Sequence, residues 1–293
     1  MTDIVVTATR TESEINNIPA TVSVIDSPKL KRNLPYDEAD LFKDEPDIAM
    51  SRDLRRFGST RVNIRGIEDN RVTQLVDGVR ISDYYNGGGP TNFTMSTPLG
   101  VSIGFLRQIE ILRGPASSLY GSDAIGGVVG YLTLNPSDLI ENGEGQGARY
   151  RLSYNGINSS WSNTLLGAFQ GESAEFLLGY THTEGHSADN KGGIDGTTMF
   201  RSKPNPQDFT DAGALAKLIL HPSEKNRITI TLEGRDQKTD TNIKRLSASP
   251  TMQKISQMTG EDKARRERGS IEWQYTPQYS FFDRVTARLF QQN

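Results

Sequence analysis

The sequence predicts an α+β domain followed by the first strands of a transmembrane antiparallel β-barrel. Three observations support this fold class. Up to about residue 145, short strand-like and helix-like segments are mixed, which is typical of a compact α+β domain. From Gly147 onward, apolar and polar residues alternate in segments of about ten residues, the length of a tilted membrane strand. Long and short connections alternate between those segments, as in outer-membrane barrels.

The composition agrees with this prediction and excludes several other classes. Mean hydropathy is −0.55, and no run approaches the roughly 18 apolar residues of a membrane helix. In a transmembrane barrel, however, the alternation hides the membrane span from such averages. The 33 basic and 36 acidic residues nearly cancel, which does not favour a nucleic-acid partner. The chain has no cysteine, so thiolate metal sites and disulfides are excluded.

The N-terminal part contains short elements with recognisable boundaries. Ser27 followed by Pro28 predicts a helix start with Ser27 as its N-cap. Residues 37–43 predict a second short helix before Pro46, and Asp77-Gly78 predicts a turn between strands. The predicted strands are residues 21–25, 60–65, 71–76 and 128–134, and residues 105–112 are predicted as a strand or a helix–strand junction.

Seven strands are predicted in the C-terminal part, where Tyr150, Leu152 and Tyr154, for example, alternate with polar neighbours. Long polar connections are predicted at residues 185–212 and 237–268. A soluble β-sandwich would also alternate, but it need not place its long loops at one end. The predicted strands are residues 149–154, 161–170, 176–181, 213–221, 227–233, 271–276 and 284–289.

The number of strands predicts a longer protein. Seven strands cannot close a single-chain barrel, which takes an even number from eight upward. A preceding domain of this size needs a barrel of about 22 strands to hold it. We therefore expect this chain to be the N-terminal part of a longer barrel protein.

The glycine-rich stretch Arg113–Val129 raises the question of a catalytic loop. It lacks the lysine of a P-loop and the G-x-S-x-G pattern of a nucleophile elbow. None of the three histidines in the chain is near its serines in sequence, so a serine nucleophile has no obvious base. We predict that the chain is not an enzyme and that these small residues allow tight turns and close packing.

Four segments, in this order, resemble motifs of the TonB-dependent outer-membrane receptors. Residues 3–8 resemble the TonB box, residues 63–66 (NIRG) a plug motif, residues 75–79 (LVDGV) its turn, and residues 110–127 the EILRGP…SLYG…AIGG block. The resemblance implies a bacterial outer-membrane location, although no signal peptide is visible at the start of this chain. The implied domains are a TonB-box segment at 1–12, a plug at 13–140, and about seven barrel strands at 147–293.

Within this family, the sequences of residues 65–72, 114–118 and 135–139 most resemble those of haem and haemoglobin receptors. The resemblance implies active import of haem into the periplasm, from free haem, haemoglobin or another haem carrier, with no permanently bound cofactor. The alternatives are a siderophore–iron receptor of the same fold and a non-transporting plug fragment with a binding or signalling role. The implied partners are TonB with its inner-membrane motor proteins and membrane lipid or lipopolysaccharide, but no nucleic acid.

The resemblance also implies contacts with TonB and with the barrel wall. An extended N-terminal segment would add a strand to the sheet edge of TonB, whereas a frayed terminus is the usual alternative. Arg65 and Arg113 would anchor the plug through glutamates on the barrel wall, because an unpaired buried charge costs several kcal/mol. Ordinary solvated charges are the alternative. Glu233 and Glu272 face the barrel interior by parity, but the partner glutamates are expected on later strands. The implied TonB-binding residues are Asp3, Ile4, Val5, Val6, Thr7 and Ala8.

The loop after the Asp77-Gly78 turn is the implied ligand-contacting loop. Haem receptors often place a histidine there, and this chain has none. Tyr84 or Tyr85 would replace it as an axial haem ligand, and Phe93 would add aromatic surface, with packing inside the loop as the alternative.

The histidines lie elsewhere in the chain and do not suggest a metal site. His182 and His186 share a strand face but would lie roughly 13 Å apart, too far to bind one metal ion. We expect them, and His221 at a turn, to be interface residues.

Overall fold

The computed structural model describes residues 4–5, 7, 13–53, 58–84, 99–140, 145–197, 200–244, 258–277 and 281–293. These residues form two compact units, and each is described by itself. The first unit comprises the described residues up to Leu134, and the second comprises the described residues from Asn135 to Asn293.

The first unit is built around a five-stranded sheet. Its strands are β1 Ile4–Val5, β2 Ser13–Glu14, β3 Thr21–Ile25, β4 Ile48–Asp53, β5 Gly58–Ile64, β6 Val72–Val76, β7 Val79–Arg80, β8 Leu106–Arg113 and β9 Gly127–Thr133. The main sheet has the order β3-β8-β9-β6-β7, while β1 pairs with β2 and β4 with β5. Only β6 and β9 run parallel within this sheet. Nearly every residue of β8 and β9 is buried, so the core of the unit lies around these central strands.

Three short helices accompany the sheet: α1 Ser27–Asn33, α2 Glu38–Leu41 and α3 Ser117–Tyr120. The prediction of Ser27 as a helix cap is wrong. The cap of α1 is Asp26, whose side chain accepts a hydrogen bond from the Lys29 amide at 2.8 Å. A carboxylate in that place also interacts favourably with the positive end of the helix dipole. Single 3₁₀ turns lie at Ile15–Asn17, Asp69–Arg71, Ile103–Phe105 and Pro136–Asp138.

The glycine-rich stretch connects β8 to β9 through α3. Gly127 opens β9 at a φ of +148°, and a Cβ atom there would lie 2.3 Å from the Leu112 carbonyl oxygen. Only glycine therefore allows the two strand ends to approach so closely. The turn is closed by backbone hydrogen bonds from Gly114 to Gly126 and from Ala116 to Ala124. The prediction that small residues serve close packing here agrees with this geometry.

The second unit is a single antiparallel sheet of seven strands in which each strand pairs with the next. The strands are β10 Gln146–Asn155, β11 Ser160–Gln170, β12 Ala174–His186, β13 Gln207–Ser223, β14 Asn226–Asn242, β15 Thr259–Tyr275 and β16 Val285–Gln292. All seven predicted strands are therefore present. Among the described residues, no helix is long and apolar enough to span a membrane.

Three strands are much longer than the sequence predicts. β13, β14 and β15 each have 17 residues rather than about ten. Their additional residues, such as Lys238, Asp240 and Asp262, lie in the segments predicted as polar connections. They remain paired in register with the neighbouring strands. Because charged residues occupy both faces in these extensions, the apolar alternation on which the strand prediction depends disappears there.

The two faces of this sheet differ in chemistry. The apolar face carries exposed Tyr150, Leu165, Leu178, Leu232 and Ile271. The opposite, polar face carries buried residues of the alternate parity, among them Thr164, Lys217, Thr231, Glu233 and Arg268. Exposed apolar side chains opposite buried polar ones are the reverse of a soluble sheet and suit a sheet whose outer face contacts lipid.

Candidate functional site

The predicted TonB-binding segment lies against the sheet of the first unit. Ile4 and Val5 form β1, which pairs with Ser13 and Glu14 of β2. The Val5 side chain is fully buried. It belongs to a cluster with Leu75, Leu112, Ala116, Ala124 and Val128. This part of the segment is therefore docked rather than frayed, while Asp3, Val6 and Ala8 lie outside the described residues.

Thr7 is held by its backbone on both sides. Its amide donates to the Glu110 carboxylate at 2.6 Å, and its carbonyl oxygen accepts a hydrogen bond from the Tyr120 hydroxyl at 2.6 Å. Gly130 leaves space for the side chain, since a Cβ atom there would lie 2.1 Å from Thr7 Oγ1. Residues from β8, α3 and β9 thus form a binding site for Thr7. We call these residues, Glu110, Tyr120 and Gly130, the Thr7 cradle.

Glu110 is the unusual member of this cradle. It lies in the middle of β8 with 1% of its surface exposed. Its second carboxylate oxygen accepts a hydrogen bond from Gln108 at 3.0 Å. A buried carboxylate is costly unless hydrogen bonds compensate for its lost hydration, so the Thr7 amide contributes to the stability of this site.

Arg113 lies in a buried ion-pair network within the first unit. Its guanidinium contacts Glu45 at 3.1 Å, the Ser23 hydroxyl at 2.9 Å and the Pro46 carbonyl oxygen at 3.1 Å. Lys29 approaches the other oxygen of Glu45 at 2.5 Å. Burial alone would raise the pKa of Glu45, but hydrogen bonds from Lys29, Ser23 and Arg113 outweigh burial and hold that pKa below its ordinary value.

Arg65, the other predicted anchor, has a different environment. It is exposed, adopts a φ of +52°, and faces Asp47 at 3.3 Å in an equally exposed pair. Such a pair contributes little to stability. Both arginines thus have carboxylate partners in their own unit, Glu45 and Asp47, which sequence reasoning did not find. Their role in anchoring the plug to a barrel wall stays a prediction.

Tyr84 lies at the start of the predicted ligand-contacting loop. Its hydroxyl donates to Asp69 at 3.3 Å, and its backbone exchanges hydrogen bonds with the Asn70 side chain. Burial, followed by the charge of Asp69, raises the pKa of Tyr84 to about 12. The phenolate form needed for iron ligation is therefore disfavoured in this conformation. Tyr85 and Phe93 lie outside the described residues.

The polar face of the seven-stranded sheet carries a second buried charge network. Glu233 contacts both Arg266 and Arg268, the latter at 3.3 Å. Arg235 binds both carboxylate oxygens of Asp211 at about 3 Å. The alternation of residues along β14 correctly predicts which face of the sheet Glu233 lies on. It does not predict that two arginines on the adjacent strand pair with this carboxylate. Glu272, which alternation places on the same face, pairs with Arg288.

Two of the three histidines pair with carboxylates on neighbouring strands. His186 lies 2.7 Å from Asp208, and His221 lies 2.9 Å from Glu175. His182 stands opposite Asn163 in the strand register. Within the part of the chain that the structure describes, no three metal-ligating side chains come together.

Residues 14–128 match the family described as TonB-dependent Receptor Plug Domain. This part of the chain is therefore similar to a TonB-dependent receptor plug domain. Hemoglobin-binding protein A of Haemophilus influenzae is 26% identical over 283 residues, covering 90% of this chain and 27% of that protein. Vitamin B12 transporter BtuB of Vibrio vulnificus is 34% identical over 132 residues, covering 45% of this chain and 20% of that protein.

A solved structure shows the same fold across both units. The FrpB iron transporter of Neisseria meningitidis aligns with a TM-score of 0.72 and 14% identity, covering 92% of this chain and 40% of that chain. The predicted fold class, a plug followed by barrel strands, is confirmed, and the resemblance to haem and haemoglobin receptors is confirmed with it. The matched proteins are named as binding proteins and transporters, in agreement with the prediction that the chain is not an enzyme. The chain spans about a quarter of the length of these curated relatives.

Proposed function

We propose that this chain supplies the plug and part of the barrel wall of a TonB-dependent outer-membrane receptor that imports haem, taken up free or from haemoglobin. The observation that carries the proposal is the likeness to a haemoglobin-binding protein over 90% of the chain, through both units. By comparison, the likeness to the vitamin B12 transporter covers 45% of the chain. The haem assignment therefore depends on a match that extends well beyond the plug.

The docked N-terminal segment supports a TonB-driven step. Strand addition requires free backbone hydrogen-bonding groups on the segment. In this structure, β1 is paired with β2, and both backbone groups of Thr7 are bound by the Thr7 cradle. TonB must therefore exchange its own strand for these contacts, and a pulling force on the segment would act directly on β8 and α3.

The internal contacts of the plug indicate where such a force would meet resistance. The Arg113–Glu45 pair connects β8 to the segment after α2 and is almost completely buried. Removing one partner of a buried pair typically costs about 3–5 kcal/mol. We propose that the plug yields first at its marginal N-terminal contacts and that this network keeps the remaining sheet folded.

Tyr84 is the proposed haem contact, although its hydroxyl is bound to Asp69 in this conformation. Tyrosine can serve as an axial ligand of haem iron. Ligation would require the hydroxyl to leave Asp69 and lose its proton. Iron coordination would thus compete with a hydrogen bond inside the plug and change the position of the loop that begins at Tyr84.

The test is a haem titration of the full-length protein in detergent, followed by its Soret band. We expect a shifted Soret band in the parent and a different band position in Tyr84→Phe, with Tyr36→Phe as a control because the Tyr36 ring packs against Arg52. The absence of any shift in the parent, together with binding of a ferric siderophore, would replace haem by a siderophore as the cargo. Growth on haem as the only iron source should disappear in cells that lack TonB.

A further inference from the structure

Arg266 lies at one end of a row of residues on the polar face of the seven-stranded sheet. The row crosses the strands β10 to β15, and each member is the register partner of the next. Its members are Arg151, Thr164, Thr181, Gly213, Arg235 and Arg266. None of the six is acidic, and the three residues in the middle of the row are small. The row is therefore a positively charged strip of the polar face.

The Arg266 guanidinium has more hydrogen-bond donors than acceptors around it. Arg266 is 4% exposed, and its Nη2 atom donates to the Glu233 carboxylate. The Nε and Nη1 atoms carry three of the five N–H donors of a guanidinium. Both atoms are buried and have no hydrogen-bond partner within the part of the chain that the structure describes. A buried donor without an acceptor is costly because it has lost its hydration without compensation, so Arg266 retains the capacity to bind a further acceptor.

The charges around Arg266 favour an anion as this acceptor. The charged groups that act on its guanidinium are Glu233, which attracts it, and Arg235 and Arg268, which repel it. Glu233 is shared, since its other oxygen accepts a hydrogen bond from Arg268 at 3.3 Å. Arg235 is paired with Asp211. Among the described residues, this cluster thus contains three arginines and two carboxylates, and an anion beside Arg266 would reduce the repulsion between the arginines.

We propose that Arg266 binds a carboxylate group of the cargo while the cargo passes along the polar face. The inference rests on the proposed function and deepens it, because haem carries propionate side chains that end in carboxylates. Hydrogen bonds between arginine and a carboxylate are roughly twice as strong as those between neutral groups. The Nε and Nη1 atoms are buried in this structure. The contact therefore forms only when this part of the polar face becomes accessible during transport, so Arg266 acts on passage and not on the first capture of haem.

The experiment measures TonB-dependent uptake by cells that carry the full-length receptor at matched levels in the outer membrane. The two probes are haem and haem diamide, in which the propionates are converted to neutral amides. The variants are Arg266→Gln, which removes the charge, and Arg266→Lys, which retains it. The matched control is Arg265→Gln. Arg265 is the preceding residue of β15, lies on the opposite face of the sheet, and forms an exposed pair with Glu267.

We expect Arg266→Gln to lower the maximal rate of haem uptake about tenfold or more, because a hydrogen bond between charged groups is lost. The haem concentration at half-maximal uptake should change less than about twofold, since capture does not involve Arg266. Arg266→Lys should be faster than Arg266→Gln, and Arg265→Gln should equal the parent. Haem diamide should enter the parent as slowly as haem enters Arg266→Gln, and Arg266→Gln should not slow the diamide further.

An unchanged maximal rate of haem uptake in Arg266→Gln would overturn the inference. So would an equal fold-loss for haem and for the diamide, because a purely structural role of Arg266 would slow both probes alike. The parent alone provides a test that does not depend on the folding of any variant, since equal uptake rates of haem and diamide would also overturn the inference. A parent that takes up no haem would overturn the proposed cargo, whereas haem uptake that ignores the propionates would overturn only the role of Arg266.

Discussion

Gly130 decides whether the N-terminal segment can dock on the plug. It lies in β9 opposite Leu75 and Glu110, and an added Cβ atom would lie 2.1 Å from Thr7 Oγ1 and 3.2 Å from Thr7 Cβ. The substitution Gly130→Ala therefore cannot be accommodated while Thr7 remains in its cradle. We predict that it displaces the segment and leaves the five-stranded sheet folded.

The magnitude follows from the contacts that hold the segment. A hydrogen bond to the Glu110 carboxylate contributes about 2 kcal/mol and one from the Tyr120 hydroxyl about 1 kcal/mol. Full burial of Val5 adds about 2 kcal/mol. Ordering the four residues from Ile4 to Thr7 costs about 4–8 kcal/mol. The docked state is thus close to balance, and overpacking of about 1–3 kcal/mol would lower the ratio of docked to undocked segment about 5- to 150-fold.

The assay is amide hydrogen exchange of peptides that cover residues 4–14. We expect exchange in Gly130→Ala to rise to the rate of an undocked segment, because the Thr7 amide loses its carboxylate partner. The control is Gly100→Ala in the same unit, where an added Cβ atom meets nothing within 4 Å. Unchanged exchange at residues 4–14 in Gly130→Ala, or equal acceleration across all of β8 and β9, would refute the reasoning.

Three further predictions concern the plug. Glu45→Ala should lower the free energy of unfolding by about 3–5 kcal/mol in chemical denaturation, because it leaves Arg113 buried without its carboxylate. The control Arg65→Ala breaks an exposed pair and should cost less than about 1 kcal/mol. Similar losses for both variants would contradict the conclusion that the buried Arg113–Glu45 pair stabilises the plug. The pKa of Glu45 is lowered in the folded state, so the ionised carboxylate stabilises the fold fully at pH values above the ordinary pKa of 4.5. This stabilisation is lost as the pH falls through the lowered pKa. The unfolding temperature should therefore fall more steeply in acid for the parent than for Glu45→Gln. In a spectrophotometric titration, one tyrosinate should form near pH 12 in the parent and be missing in Tyr84→Phe, and a Tyr84 signal near pH 10 would show that the residue is not held against Asp69.

Sequence patterns predict elements well where local chemistry specifies them. All seven strands of the second unit follow from alternation, because a sheet with one apolar and one polar face requires a two-residue period. The same rule failed in the extensions of β13, β14 and β15, where both faces are polar and only pairing with the neighbouring strand keeps the chain extended. The N-cap of α1 was misplaced by one residue, since Asp26 and Ser27 are both good caps and only the backbone conformation distinguishes them.

The sequence by itself determined the plug motifs, the number of barrel strands and the faces of Glu233 and Glu272. Only the tertiary structure decided which groups meet. Thr7 and Glu110 are 103 positions apart, and Arg113 and Glu45 are 68 positions apart. Neither separation carries a local signal, because these contacts arise where β8, paired with β3 and β9 inside its sheet, brings distant segments together. Periodicity and turn chemistry act over a few residues, whereas a buried carboxylate finds its donors through the packing of the whole domain.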